Sequence, residues 1–160
     1  MIVTDVNILA YYVIEGERSA EVQRLWSIDN EWMVPVFWRV EFQSVLWKYS
    51  RLQGMPLNHA ANLYEQALHL FSENERHLSD DAALREAIAS GISIYDAQYV
   101  ALARQLKVPC VSLDKPLQKA CPDQVLSINQ YIEARSRGQS IREAPVTYQI
   151  KQQQKKRAAK

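Results

Sequence analysis

The sequence predicts an α/β fold with a short, mainly parallel central sheet. Three observations carry that expectation. Short apolar runs rich in β-branched residues, such as Ile2-Val3 and Val108–Leu113, read as strands buried on both faces. Between them, longer stretches repeat apolar residues at helical spacing. The two kinds of segment alternate along the chain, the order that builds parallel sheets with helical crossovers.

Residues 2–5 are the first strand, leading into a helix near Asn7–Val13 that Gly16 breaks. Ser19–Ile28 is helical through Val22, Leu25 and Trp26. Trp32-Met33-Val34-Pro35-Val36 is a second strand, terminated by Pro35 because proline cannot donate to a ladder. Phe37–Leu52 is a long helix ended by Gly54 and Pro56, and Leu57–Phe71 another, with Leu57, Ala61, Tyr64, Leu68 and Phe71 as its stripe. His77-Leu78 is a minimal strand. Ser79 caps the next helix, whose first turn carries Asp80 and Asp81 and which Gly91 closes. Ser93 caps a nearly all-apolar helix, Ile94–Gln105, expected to be buried with no face toward water. Val108–Leu113 is a strand, followed by Asp114 and a short helix near Pro116–Ala120. Val125-Leu126 and Ile128–Ala134 complete the fold as strand and helix.

At 160 residues and 48% apolar content the chain is one globular domain with a tail. Its net charge of +1 hides a split. Residues 1–133 hold 17 acidic and 11 basic side chains, a balance of −6, whereas 134–160 hold 8 basic ones against Glu143 alone, +7. The expected division is one globular domain over 1–134 and a basic, flexible tail over 135–160, where Gln152-Gln153-Gln154-Lys155-Lys156-Arg157 offers nothing to bury. No run reaches the roughly 18 apolar residues of a membrane span, and no basic segment before an apolar stretch marks a secretory signal. Cys110 and Cys121 read as buried thiols of a reducing compartment rather than zinc ligands. His59, His69 and His77 form no metal set. Trp26, Trp32, Trp38 and Trp47 read as core or interface aromatics. No glycine-rich phosphate loop or G-x-S-x-G is present.

Four acids stand out by position. Asp5 and Asp114 follow strands, at the edge where open parallel sheets bind ligands. Glu41 falls on the stripe Trp38, Glu41, Val45, Tyr49, Leu52, otherwise apolar or aromatic, and Asp96 shares a helix face with Val100 and Ala103. An ionised carboxylate buried without a partner costs several kcal/mol. Convergence of the four on a cation offsets that cost, and an all-oxygen set suits Mg²⁺ or Mn²⁺. Such a cation can position water for attack on a phosphodiester. Each acid also has an ordinary reading: Asp5 and Asp114 as helix caps, Asp96 as the N3 partner of Ser93, Glu41 as a first-turn acid.

The order Asp5 in Ile-Val-Thr-Asp-Val-Asn, Glu41 after Val-Pro-Val-Phe-Trp-Arg-Val, Asp96 in Ser-Ile-Tyr-Asp-Ala-Gln-Tyr-Val-Ala-Leu-Ala and Asp114 in Val-Ser-Leu-Asp-Lys resembles the PIN domain over about residues 1–133. Within it the resemblance is to the VapC-like group, toxins of type II toxin–antitoxin systems. It implies an α/β/α sandwich and a cytoplasmic, Mg²⁺- or Mn²⁺-dependent endoribonuclease, usually a homodimer, neutralised by an antitoxin. It also implies Asp5, Glu41, Asp96 and Asp114 as catalytic and metal-binding carboxylates, with Asn7 helping to order the site and Ser112 orienting Asp114 or a water. Many members have Thr or Ser where this chain has Val6, and Asp or Asn where it has Pro116, which favours one metal over two. In the tail, Lys151, Lys155, Lys156 and Arg157 are candidates for RNA phosphates. The alternative function is a non-catalytic RNA- or protein-binding module in which the acids only cap helices. A phosphoryl-accepting signalling domain fits less well, because Asp5 lacks an acidic neighbour near the first strand.

Overall fold

The computed structural model describes residues 1–138. Five strands, β1 (Ile2–Thr4), β2 (Trp32–Pro35), β3 (Glu75–Arg76), β4 (Cys110–Val111) and β5 (Val125–Leu126), form one sheet in the order β3-β2-β1-β4-β5. All four pairings are parallel. Helices flank the sheet: α1 (Val6–Val13), α2 (Ser19–Ile28), α3 (Trp38–Gln53), α4 (Leu57–Phe71), α5 (Ala82–Ser90), α6 (Ile94–Leu106), α7 (Lys115–Ala120) and α8 (Ile128–Ser136). The expected α/β class with a short parallel sheet is what the chain adopts.

β1 is the central strand, paired to β2 through Ile2↔Trp32 and to β4 through Thr4↔Val111. The chain order reverses there, so the carboxyl end of β1 is a switch point, the place where open parallel sheets bind ligands. All three residues of β1 and all four of β2 are buried, which is why these strands read as continuous apolar runs. α6 lies against β1, β2 and β4 and carries α5. Fully buried Trp32 and Trp38 anchor an aromatic cluster with Phe71, which stacks on Trp32 at 6.1 Å and meets Trp38 edge-on at 5.9 Å. Trp26 is half-buried beside them, whereas Trp47 is 64% exposed. Cys110 and Cys121 are free and buried, and the three histidines are exposed.

Several expectations needed correction. The edge strand is Glu75–Arg76, not His77-Leu78. Its charged residues gave no strand signal; pairing with Val34 and Pro35 makes it one. Glu75 accepts from Trp38 Nε1 at 2.7 Å and from Arg39 Nε at 2.5 Å, which ties this edge to α3. The inward stripe of α4 is Ala60, Leu63, Ala67 and Phe71, with Tyr64 and Leu68 half-buried; Leu57 and Ala61 are exposed. On α3 the most buried line is Trp38, Phe42, Leu46. Glu41, Val45 and Tyr49 flank it, and Leu52 is exposed. Asp81, not Ser79, occupies the cap position of α5. α6 does give water a face, through Ile94, Tyr95, Arg104 and Gln105. It stops because Lys107 takes the left-handed conformation at φ 56°. The strand expected at Val108–Leu113 is only Cys110–Val111, which leaves Ser112 and Leu113 as a turn before Asp114. α8 runs two residues past Ala134. Lys151, Lys155, Lys156 and Arg157 lie outside the described residues.

Candidate active site

Asp5 is the first residue after the central strand, and its carboxylate is 5% exposed. Its Oδ1 accepts from the Ile8 amide at 3.0 Å, capping α1. Its Oδ2 accepts from the Ser112 hydroxyl. Ser112 is itself fully buried and accepts from the Asp114 amide at 2.9 Å. Asp114 Oδ1 in turn accepts from Leu117 N at 2.9 Å and caps α7. One hydroxyl therefore links the acids that follow β1 and β4. Such short strand-to-helix turns place both carboxylates at the same sheet edge.

Glu41 and Asp96 approach from helices. Asp96 sits in the first turn of α6, where its amide donates to the N-cap Ser93 Oγ at 3.1 Å and its Oδ2 accepts from that hydroxyl at 2.7 Å. Glu41 sits one turn into α3, and its Oε2 accepts from the Tyr99 hydroxyl at 2.5 Å. Tyr99 is three residues after Asp96 and so shares its side of α6.

The electrostatics show the four acids to be neighbours. Burial pushes the Asp5 carboxyl up to about 6 against the lowering by Ser112 and the Ile8 amide, and the charges of Asp114 and Asp96 push the same way as burial. Burial likewise pushes Glu41 up to about 7 against the Tyr99 hydrogen bond, with Asp96 and Asp5 adding to it. Tyr99 is raised well above the ordinary phenol range by its burial and by Glu41. Asp5 thus lies within electrostatic reach of Asp114, Asp96 and Glu41, and Glu41 within reach of Asp96.

They do not form a ready cage. Among the described residues, no group of three or more His, Cys, Asp or Glu side chains is arranged to hold a metal ion. Three of the four make the helix-cap contacts an ordinary structural role would give. The chemistry of the donor set nevertheless fits a hard divalent cation. It is all oxygen, and charge neutralisation would relieve the burial and repulsion that raise Asp5 and Glu41.

Ser112 contacts both Asp5 and Asp114, where the resemblance implied only Asp114 or a water. Asn7 is exposed on the first turn of α1, and the hydrogen bonds of the four acids go elsewhere. Tyr99 was missed by sequence reasoning. The available signal was a phenol three residues after Asp96 on a buried face, since a buried tyrosine hydroxyl needs a partner.

The fold is that of a known class of protein. The PIN domain family model matches residues 2–121, and the chain belongs to that family. It is 29% identical over 126 residues to the ribonuclease VapC3 of Pyrobaculum aerophilum, covering 76% of this chain and 95% of that protein. The crystal structure of PAE2754 from Pyrobaculum aerophilum superposes with a TM-score of 0.63 at 18% identity, over 86% of this chain and 97% of that one. A toxin–antitoxin complex from Klebsiella pneumoniae gives 0.60 at 17% identity, over 80% and 98%. The likeness of fold at those identities matches the PIN-like sandwich the sequence predicted.

Proposed function

We propose that this protein is an endoribonuclease that hydrolyses RNA phosphodiester bonds with Mg²⁺ or Mn²⁺ held by Asp5, Glu41, Asp96 and Asp114. We read it as a toxin neutralised by a cognate antitoxin, acting in the cytoplasm as a homodimer. Family membership supports the class, and the similarity to a protein named as a ribonuclease supports the RNA substrate. The likeness to a toxin–antitoxin complex supports the antitoxin. Among the described residues no helix is long and apolar enough to cross a membrane.

The observation that carries the reading is Glu41. Asp5, Asp96 and Asp114 have capping contacts that a structural role explains. Glu41 makes no such contact; it is held by Tyr99 beside two other acids at a raised pKa of about 7. An acid kept in that setting against its own burial is a functional candidate.

A bound divalent cation would supply a polarised water and neutralise charge on the leaving oxygen. The chain's own residues hold the carboxylates. Ser112 and the Ile8 amide fix both oxygens of Asp5, Ser112 aligns Asp114 through its amide, and Tyr99 selects one rotamer of Glu41. In this reading residues 1–134 carry the reaction, and Lys151, Lys155, Lys156 and Arg157 of the 135–160 tail contact RNA phosphates.

The capping contacts and the lack of a preformed cage favour a second reading, a non-catalytic RNA- or protein-binding module. One experiment separates the two. Bulk tRNA or mRNA is incubated with Mg²⁺ or Mn²⁺, with and without chelator, using the wild type, Asp5→Asn and Asp96→Asn. Metal-dependent cleavage lost in both variants supports the nuclease. Metal-independent cleavage, or full activity in both variants, overturns it.

A further inference from the structure

A cleft next to the Asp96 turn of α6 has none of the four acids in its lining. The end of β2 with the following turn, and the segment 76–80 between β3 and α5, bound a cavity of about 280 Å³. Phe37, Arg76, His77, Leu78, Asp80 and Gln98 line it. It opens at the carboxyl ends of β2 and β3, the same sheet edge that presents Asp5. Gln98 is two residues after Asp96 and directly before Tyr99, so one turn of α6 serves both the acids and the cleft.

One lining residue, Phe37, belongs to an aromatic pair. Phe37 immediately precedes α3 and Tyr95 immediately precedes Asp96, and their rings stack at 5.5 Å with 29° between planes. Tyr95 is 55% exposed, so much of its side chain is open to solvent. Polar groups in the cleft carry opposite charges: Arg76 is turned to the Glu73 and Glu75 carbonyls at 3.0 and 2.7 Å, and Asp80 is exposed at the rim. A lining of this balance suits a neutral, flat, hydrogen-bonding group better than a phosphate.

We propose that Tyr95, Phe37 and this cleft form a subsite for one unstacked RNA base adjoining the scissile phosphate. The base stacks on Tyr95, and its edge meets the Gln98 amide and His77. Stacking on an aromatic ring accepts any base, while the donors and acceptors behind it discriminate among bases. The inference rests on the ribonuclease reading, because it places the base next to the acids.

The test measures binding, so it is separable from cleavage. The full chain is titrated into a labelled single-stranded RNA, with Ca²⁺ as the probe cation to limit repulsion between the acids and the phosphates. Fluorescence anisotropy gives Kd for the wild type, Tyr95→Ala and Tyr95→Phe, and for the wild type with the same RNA made abasic. Tyr95→Ala and the abasic RNA are each expected to weaken binding about fivefold or more, with Tyr95→Phe close to wild type. The abasic arm leaves the protein unaltered, so folding of a variant does not enter. Equal affinity for intact and abasic RNA, an unchanged Kd in Tyr95→Ala, or no RNA binding by the wild type overturns the subsite. Failure of the nuclease reading shows instead as absent cleavage by a wild type that still distinguishes intact from abasic RNA.

Discussion

The Tyr99 hydroxyl donates to Glu41 Oε2 at 2.5 Å across 58 residues of sequence, joining α6 to α3 at the four-acid cluster. Tyr99 is 2% exposed. Tyr99→Phe removes the donor and keeps the ring. Glu41 is then free to change rotamer, and its carboxylate loses the one contact that lowers its pKa. In the proposed metal site, losing the group that orients a ligand costs about 10- to 100-fold in metal affinity or activity. The expected result is that loss in Mn²⁺ affinity by titration calorimetry, with a comparable fall in RNA cleavage. Wild-type values for both would show that Tyr99 merely packs.

Ser112 invites a sharper substitution. Ser112→Ala deletes one atom that donates to Asp5 and accepts from the Asp114 amide. Both groups are left short of a partner in a buried setting, a loss of about 1–3 kcal/mol. The expected outcome is a lower melting temperature together with reduced cleavage. Ser112→Thr keeps the hydroxyl and is expected to recover most of both. Equal behaviour of the two variants would remove the hydroxyl from the account.

The raised carboxyls fix the sign of a pH effect. Asp5 titrates at about 6 rather than 3.8, and Glu41 at about 7 rather than 4.5. Between those limits the folded chain binds more protons than the unfolded one, so their contribution makes stability fall as pH rises through the window. Above about pH 7 it levels off. Glu41→Gln, which cannot ionise, is expected to flatten the slope and melt higher than wild type at the alkaline end. Added Mn²⁺ is expected to stabilise the wild type more above about pH 7 than near pH 5, since its ligands bind deprotonated. Parallel melting curves for wild type and Glu41→Gln across the window would contradict the assignment.

How much of this was legible follows from the range of the forces involved. α2, α4 and β5 begin and end where local periodicity placed them. Asp5 and Asp114 were found because a strand end is a local feature, and Ser112 because its segment resembles the family's pattern. β3 was misplaced because its strand character comes from pairing with Val34 and from bonds between Glu75 and α3, all distant in sequence. The α4 stripe was rotated because Ala60 and Ala61 are alike in sequence and differ only in what packs on them. Lys107 stops α6 in a left-handed conformation that favours glycine, so no residue type announced it. Tyr99 was invisible as a site residue for a similar reason: a phenol among alanines and valines reads as core until Glu41 is seen opposite.

Thr4 gives a prediction of the opposite sign. It ends β1 in register with Val111, is fully buried, and its Oγ1 has no hydrogen-bond partner among the described residues. A buried hydroxyl without a partner carries a desolvation penalty of about 1–3 kcal/mol. Valine has nearly the same shape and the same β-branching, which suits a central strand. Thr4→Val is therefore expected to stabilise the fold by about 1 kcal/mol, a rise of about 3 °C in Tm for a chain of this size. Thr4→Ser keeps the hydroxyl, loses the methyl and is expected to melt below wild type. Scanning calorimetry of the three proteins decides it. A lower Tm for Thr4→Val would mean that the hydroxyl beside Asp5 has a partner of its own, and that the end of β1 contributes more to the site than Asp5 alone.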